Sequence, residues 1–349
     1  MNYAISILFR AIPLAMAAFC FIYGLFILFY TGDGSRLTAG PVVFFLGMVC
    51  LNLYATAATI IRQLIGTFHK GARIFFPIFA YSVSIITIVA GIVMYSNSAQ
   101  LYVSGHVVEG LGFICLCVAT AATCSSKFAL IPKNSAKPNI KPSVRCPQAF
   151  TPAQENAMKA VVIIASILAW CDSIILLSQS WGSAANFVAG SVVGGIACIC
   201  TSLIALVYSI INQISGLYDN TQRRLWPQLV LGMGIVAGVW GIVVFFFNIS
   251  HTVDFVGFLL IGLSLICFSI SSKVILLAKV WRASYPLANR IPIIPVVTAL
   301  CCLFLSAFLF EGAMVEVKFA VPARVLTAFG AVCFTLFSIV SILESGTKH

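Results

Sequence analysis

Glu109 stands inside an apolar stretch, with His106 three positions before it. Asp172 stands inside another, two residues past Trp170, and Arg324 opens a third. A charge at the centre of hydrocarbon costs ~2.5–3.5 kcal/mol on insertion scales, so ionisable groups kept there are candidates for function. Residues three apart share a helix face, so His106 and Glu109 can meet. Two carboxylates and an imidazole can hold protons or a cation, and the imidazole takes up a proton in mildly acid surroundings. Arg324 can pair with a carboxylate or attract an anion. A second reading is equally open: such groups snorkel to water or form buried pairs that only hold helices together. Asp254, Glu311 and Glu316 read as boundary residues. In the sharper reading, Glu109, Asp172, His106 and Arg324 line one polar vestibule.

Those residues need spans to carry them. Of the 349 residues, 61% are apolar and only 8% charged. The mean hydropathy is +1.08. That composition exceeds what a soluble core can bury and suits a bilayer. Apolar runs of the length needed to cross about 30 Å of hydrocarbon fall near 11–30, 40–61, 74–95, 104–126, 158–179, 187–211, 226–248, 254–277, 290–311 and 322–343.

A spacing pattern groups these runs in pairs. Gly40, Gly105, Gly190, Gly257 and Ala323 each stand ten residues before a cysteine: Cys50, Cys115, Cys200, Cys267 and Cys333. A further small residue follows each anchor at the seventh position: Gly47, Gly112, Ala197, Ser264 and Gly330. The anchors are 65, 85, 67 and 66 residues apart. A basic residue (Arg10, Arg73, Lys159, Arg224, Arg290) precedes each anchor by 30 to 33 residues. The expected architecture is an all-α polytopic membrane protein. Its ten transmembrane helices form five tandem, parallel helical-hairpin repeats, either closed with pseudo-fivefold symmetry or laid out in an arc. The small residues and cysteines form a packing seam, because small side chains let membrane helices approach closely. A neighbouring face varies between copies: Pro41, His106, Ser191, Phe258 and Arg324 at its first position, and Phe44, Glu109, Gly194, Ile261 and Thr327 three residues on.

Residues 1–130 then hold hairpins one and two, and residues 158–349 hold hairpins three to five. Residues 131–157, rich in Pro and Lys, form a flexible cytoplasmic loop that accounts for the long spacing. Pro13, Pro77, Pro227, Pro292 and Pro295 read as helix starters or end kinks of the odd-numbered helices. Seventeen of the 20 Lys and Arg residues fall on the side holding both termini. The positive-inside rule makes that side cytoplasmic. The net charge of +11 thus reflects topology and attraction to anionic headgroups, and calls for no nucleic acid. The N-terminus reads as retained, leading into the first helix.

Signals for catalysis are missing. There is no phosphate-cradling Gly-Lys-Ser/Thr loop, H-E-x-x-H, G-x-S-x-G or Rossmann fingerprint. The C-x-C pairs Cys115–Cys117 and Cys198–Cys200 lack four-ligand geometry. The expectation is no enzyme, no cofactor and no resident metal, with the lipid bilayer as the main partner.

The C-terminal stretch PLANRIPIIPVVTALCCLFLSAFLFEG, with VPARVLTAFGAVCFTLFSIVSILESG after it, and the R-x-I-P at Arg10–Pro13 resemble the YhiM family of enterobacterial inner-membrane proteins. The family's Gly-His-Val element is intact here only at Gly105–His106–Val107. That resemblance implies a bacterial inner membrane and an association with survival in acid, and carries no substrate. The residues and the resemblance together lead to a channel or transporter-like protein for a small solute or ion, modulated by external pH. A non-transporting stress sensor or scaffold is the alternative.

Overall fold

Hydrocarbon offers no partners to backbone polar groups, so each apolar run must close its hydrogen bonds internally as a helix. The computed structural model of the chain describes residues 3–64, 67–126, 150–246, 255–280 and 291–347. Ten long helices occur among them: α1 (Tyr3–Tyr30), α2 (Arg36–Leu64), α3 (Lys70–Asn97), α4 (Tyr102–Ser125), α5 (Pro152–Ser178), α6 (Ala184–Ile214), α7 (Asn220–Phe246), α8 (Phe255–Val280), α9 (Ile293–Ala313) and α10 (Ala320–Thr347). Single 3-10 turns at Ala99–Leu101 and Val317–Phe319 lead into α4 and α10. All ten helices are long and apolar enough to cross a membrane.

The helices sort into two layers. About three quarters of the most apolar segment of each even-numbered helix is buried, against about a third for each odd-numbered one. The odd helices turn large apolar side chains outward, as α3 does with Ile74, Phe75, Ile78, Ile85 and Ile86. Such a surface suits lipid and would be unsustainable in water. Each odd helix packs against the even helix that follows it. Among the even helices, α2 packs on α4, α4 on α6, α6 on α8, α8 on α10, and α10 back on α2. The contacts of the inner layer therefore close on themselves.

The small residues of the seam face the hairpin partner. A methyl on Gly40 would lie 2.6 Å from Leu28 of α1, and one on Gly190 would lie 2.9 Å from Leu177 of α5. The same holds for Gly47 against Phe21, Gly112 against Ile88, Gly257 against the Gly241 carbonyl, and Gly330 against Leu303. Cys50, Cys115, Cys200, Cys267 and Cys333 are fully buried free thiols in the main core.

Four helix starts differ from expectation. Helix α5 starts at Pro152, so residues 152–157 are helical rather than part of a flexible loop. Thr151 explains this: its side chain accepts from the Gln154 N–H while the Gln154 side chain accepts from the Thr151 N–H, a capping box with Pro152 at the first helical position. Residues 131–149 of that loop and Asp254 lie outside the described residues. Pro13, Pro77 and Pro227 sit inside their helices rather than at the start, because α1, α3 and α7 begin well before them.

Candidate functional site

The α3–α4 crossing builds the first site. A methyl on Gly91 would stand 2.4 Å from the Glu109 nitrogen and 2.8 Å from the Gly105 carbonyl oxygen. A methyl on Gly105 would stand 2.6 Å from the Tyr95 nitrogen. The two backbones touch, and one turn on, that closeness lays the Tyr95 ring flat on His106 (centroids 4.3 Å apart, planes 3° apart). Tyr102 closes the edge of the imidazole at 4.8 Å.

Asp172 comes from α5. Its rotation is fixed from the α6 side: Ser173 donates to the Gly190 carbonyl (2.8 Å), and Trp170 donates to the Thr201 hydroxyl (3.1 Å). The Asp172 carboxylate is thereby turned to α4, where its Oδ2 lies 3.2 Å from His106 Nδ1. His106 is 8% exposed; Glu109 is half-buried. The nearest ligand atoms of His106, Glu109 and Asp172 all lie within 4.8 Å of one another. Two carboxylates beside one imidazole leave excess negative charge in a poorly solvated place. Protons can relieve it, and so can a cation: one nitrogen and two oxygens are a donor set that an open divalent-metal site uses. No metal was expected from the sequence, and this geometry admits one.

Arg324 is elsewhere, which corrects the single vestibule. At the start of α10 its guanidinium grips Asp33 in a two-pronged pair, Nη1 to Oδ1 at 2.9 Å and Nη2 to Oδ2 at 2.7 Å. It also donates to the Ser35 hydroxyl, which itself donates to Asp33 Oδ1 (2.7 Å). Asp33 lies between α1 and α2, so this clamp joins the last hairpin to the first. The Arg324 guanidinium, chiefly, holds the Asp33 carboxyl below its ordinary range. Glu316 pairs with Lys318 at 2.9 Å, and Glu311 is exposed at the end of α9, as boundary residues would be.

A second feature lies on the centre line of the inner layer. Two cavities of about 30 Å³ each are lined by residues from all five even helices and from no others. Val42, Val107, Val192, Leu259 and Val325, each two residues past an anchor, line the first. Val49, Ile114, Ile199, Ile266 and Val332, each nine past, line the second. Leu111, Leu263 and Phe329, each six past, belong to both and form the layer between them. A void of that size holds one or two waters at most, and an apolar lining leaves it dry.

Sequence reasoning missed Asp33, Tyr95 and this axial stripe. The stripe had a signal: the same alignment of copies that exposed the small-residue seam has branched or aromatic residues at the second, sixth and ninth positions of every copy. Asp33 is 291 residues from Arg324, and nothing in its TGDGS turn announces the partner.

A family model described as "Protein of unknown function (DUF2776)" matches residues 1–348. The chain is also similar to the "Inner membrane protein YhiM" of Escherichia coli (strain K12), 41% identical over 350 residues and 99% of each chain. No solved structure matches.

Proposed function

Since the chain belongs to the DUF2776 family, whose description names no activity, its role is read from its own geometry, and we propose that it is a gated conduit for a small solute or ion in the bacterial inner membrane. Five like-oriented hairpins surround an axis, both termini face the cytoplasm, and external pH acts through His106, Glu109 and Asp172. The reading rests on one observation: equivalent positions of all five even helices surround the same two cavities. A bundle that served only as a scaffold has no need to align five copies about one line. The layer of Leu111, Leu263 and Phe329 then acts as an apolar gate, closed in this state, of the kind that opens by wetting.

The acid link is local charge chemistry. A proton on His106 strengthens its bond to Asp172 and draws α5 toward α4, whereas loss of the carboxylate charges removes that pull. One observation favours the second reading, a non-conducting sensor or scaffold: the voids are only about 30 Å³ each. Purified protein in liposomes separates the two. Leu263→Ser, which wets the gate layer, should raise the flux of ions or small solutes at least about tenfold over wild type. Glu109→Gln and Asp172→Asn should leave that flux in place and remove its dependence on external pH. If Leu263→Ser and Phe329→Ala are both as impermeable as empty liposomes to cations, anions and uncharged solutes, the conduit is wrong and the scaffold stands.

A further inference from the structure

The axial stripe continues below the second cavity. On α8 it runs Leu259, Leu263, Ile266, Ile270, and the next residue on that face, three positions on, is Lys273. The side chain is 2% exposed. The residues at the same position of the other four even helices are Thr56, Ala121, Leu206 and Ile339, each at most 3% exposed. None carries a charge, and Thr56 spends its hydroxyl proton on the Asn52 carbonyl (3.2 Å). Among the described residues Lys273 makes no hydrogen bond and no ion pair. Glu109, the acid of the even helices whose side chain is described, is not on this face: it points to α5, on the face of α4 away from the axis.

We infer that Lys273 is the charge filter of the axis, and that the conduit takes small inorganic anions of chloride size. This rests on the conduit reading above and deepens it. An ammonium held inside a bundle without a counter-charge is costly. A mobile anion beside it relieves that cost, and rings of Lys or Arg select anions in other pores. The same charge repels cations along an axis with low-dielectric walls, where a single charge acts strongly. The side chain also sits past the apolar gate, at the end of the axis that the proposed topology makes cytoplasmic. There it would collect anions without holding the gate open.

The test uses the full chain in liposomes with Leu263→Ser as background, under a potassium chloride gradient. The expected result is a chloride permeability at least about ten times that of potassium, falling at least about fivefold when Lys273→Met is added and kept when Lys273→Arg is added. Lys273→Met should fold at least as well as the background by thermal unfolding, since it removes an unpaired buried charge. A clear loss of folding would show a partner for Lys273 and overturn the inference. A background that passes potassium as readily as chloride, or a ratio that Lys273→Met leaves unmoved, overturns the anion filter and leaves the conduit standing. A background that passes neither ion nor any solute overturns the conduit, and the filter with it.

Discussion

Gly91→Ala puts a methyl where the α3–α4 crossing has no room. Its three nearest neighbours would be the Glu109 nitrogen at 2.4 Å, the Glu109 Cα at 2.7 Å and the Gly105 carbonyl oxygen at 2.8 Å. All three are backbone atoms, so no side chain can swing aside. Ordinary contact begins at 3.4 Å, so the helices must part by about 1 Å. Overpacking of this kind costs about 1–3 kcal/mol. The alanine itself returns about 0.5–1 kcal/mol, because glycine is a poor residue for a helix interior. The control is Gly232→Ala in α7, where an added methyl meets nothing within 4 Å. It gains the same propensity and loses nothing. The difference between the two variants therefore isolates the crossing, and should be about 1–3 kcal/mol. Reversible unfolding in mixed micelles, followed by tryptophan fluorescence, measures it. The same 1 Å lifts Tyr95 off His106, so Gly91→Ala should also blunt the acid response of the flux through Leu263→Ser. If Gly91→Ala and Gly232→Ala unfold alike, the backbones do not touch there and the account of the His106 site fails.

Asp33→Asn should lower thermal stability by an amount that holds steady as pH falls from 7 to 5. The folded carboxyl ionises below its ordinary value of 3.8, so the clamp is fully present above that value and is lost only as pH drops through the lower, folded one. A difference that shrinks already at pH 6 refutes this. Asn52 is fully buried and donates to the Ser84 hydroxyl and the Cys115 carbonyl, both at 3.2 Å, while its own Oδ1 has no partner. Asn52→Leu should thus be neutral within about 1 kcal/mol, because the orphaned oxygen offsets two modest membrane hydrogen bonds. Asn52→Asp keeps the shape, loses the donors and should be far worse. A Leu variant that unfolds as easily as the Asp variant sinks the argument.

The spans were legible because hydrocarbon imposes a length and excludes charge. The seam was legible because glycine and alanine stand out against leucine. Which face of each even helix meets the axis was not. In a soluble bundle the apolar side of a helix declares itself; here the side toward lipid, the side toward a partner and the side toward the centre are all apolar. Only residue size separates them, with glycine at the anchor facing the hairpin partner and branched side chains two, six and nine residues on facing the cavities. Glu109, His106 and Asp172 were flagged one by one as charges in apolar runs, but their meeting depends on the rotation of α5. That rotation is set by Ser173 and Trp170, two residues that carry no signal of their own.

The separation of Arg324 from the other candidates has a physical logic that one vestibule lacked. His106 and Arg324 both stand one residue past an anchor, Gly105 and Ala323. His106 reaches Asp172 of the third hairpin, and Arg324 reaches Asp33 at the turn of the first. Each is a cation-capable side chain at the same position of its helix, bonded to an acid of the next hairpin in the cycle. The position thus lies on the join between neighbouring hairpins, where apolar packing alone gives no preference for one partner over another. A charge pair supplies one at these two joins, while Asn52 on the Cys115 carbonyl does so between α2 and α4 and Gln213 on the Leu277 carbonyl between α6 and α8. At the same position α6 has Ser191, whose buried hydroxyl has no partner, and α8 has Phe258, which packs on Phe245 and Phe319. The permanent guanidinium pair is suited to hold its join at any ordinary pH. The imidazole pair is a single contact, Nδ1 to Oδ2 at 3.2 Å, and is the looser of the two. The cycle of five joins thus has one firm clasp and one looser clasp, and the looser clasp is the one backed by Glu109.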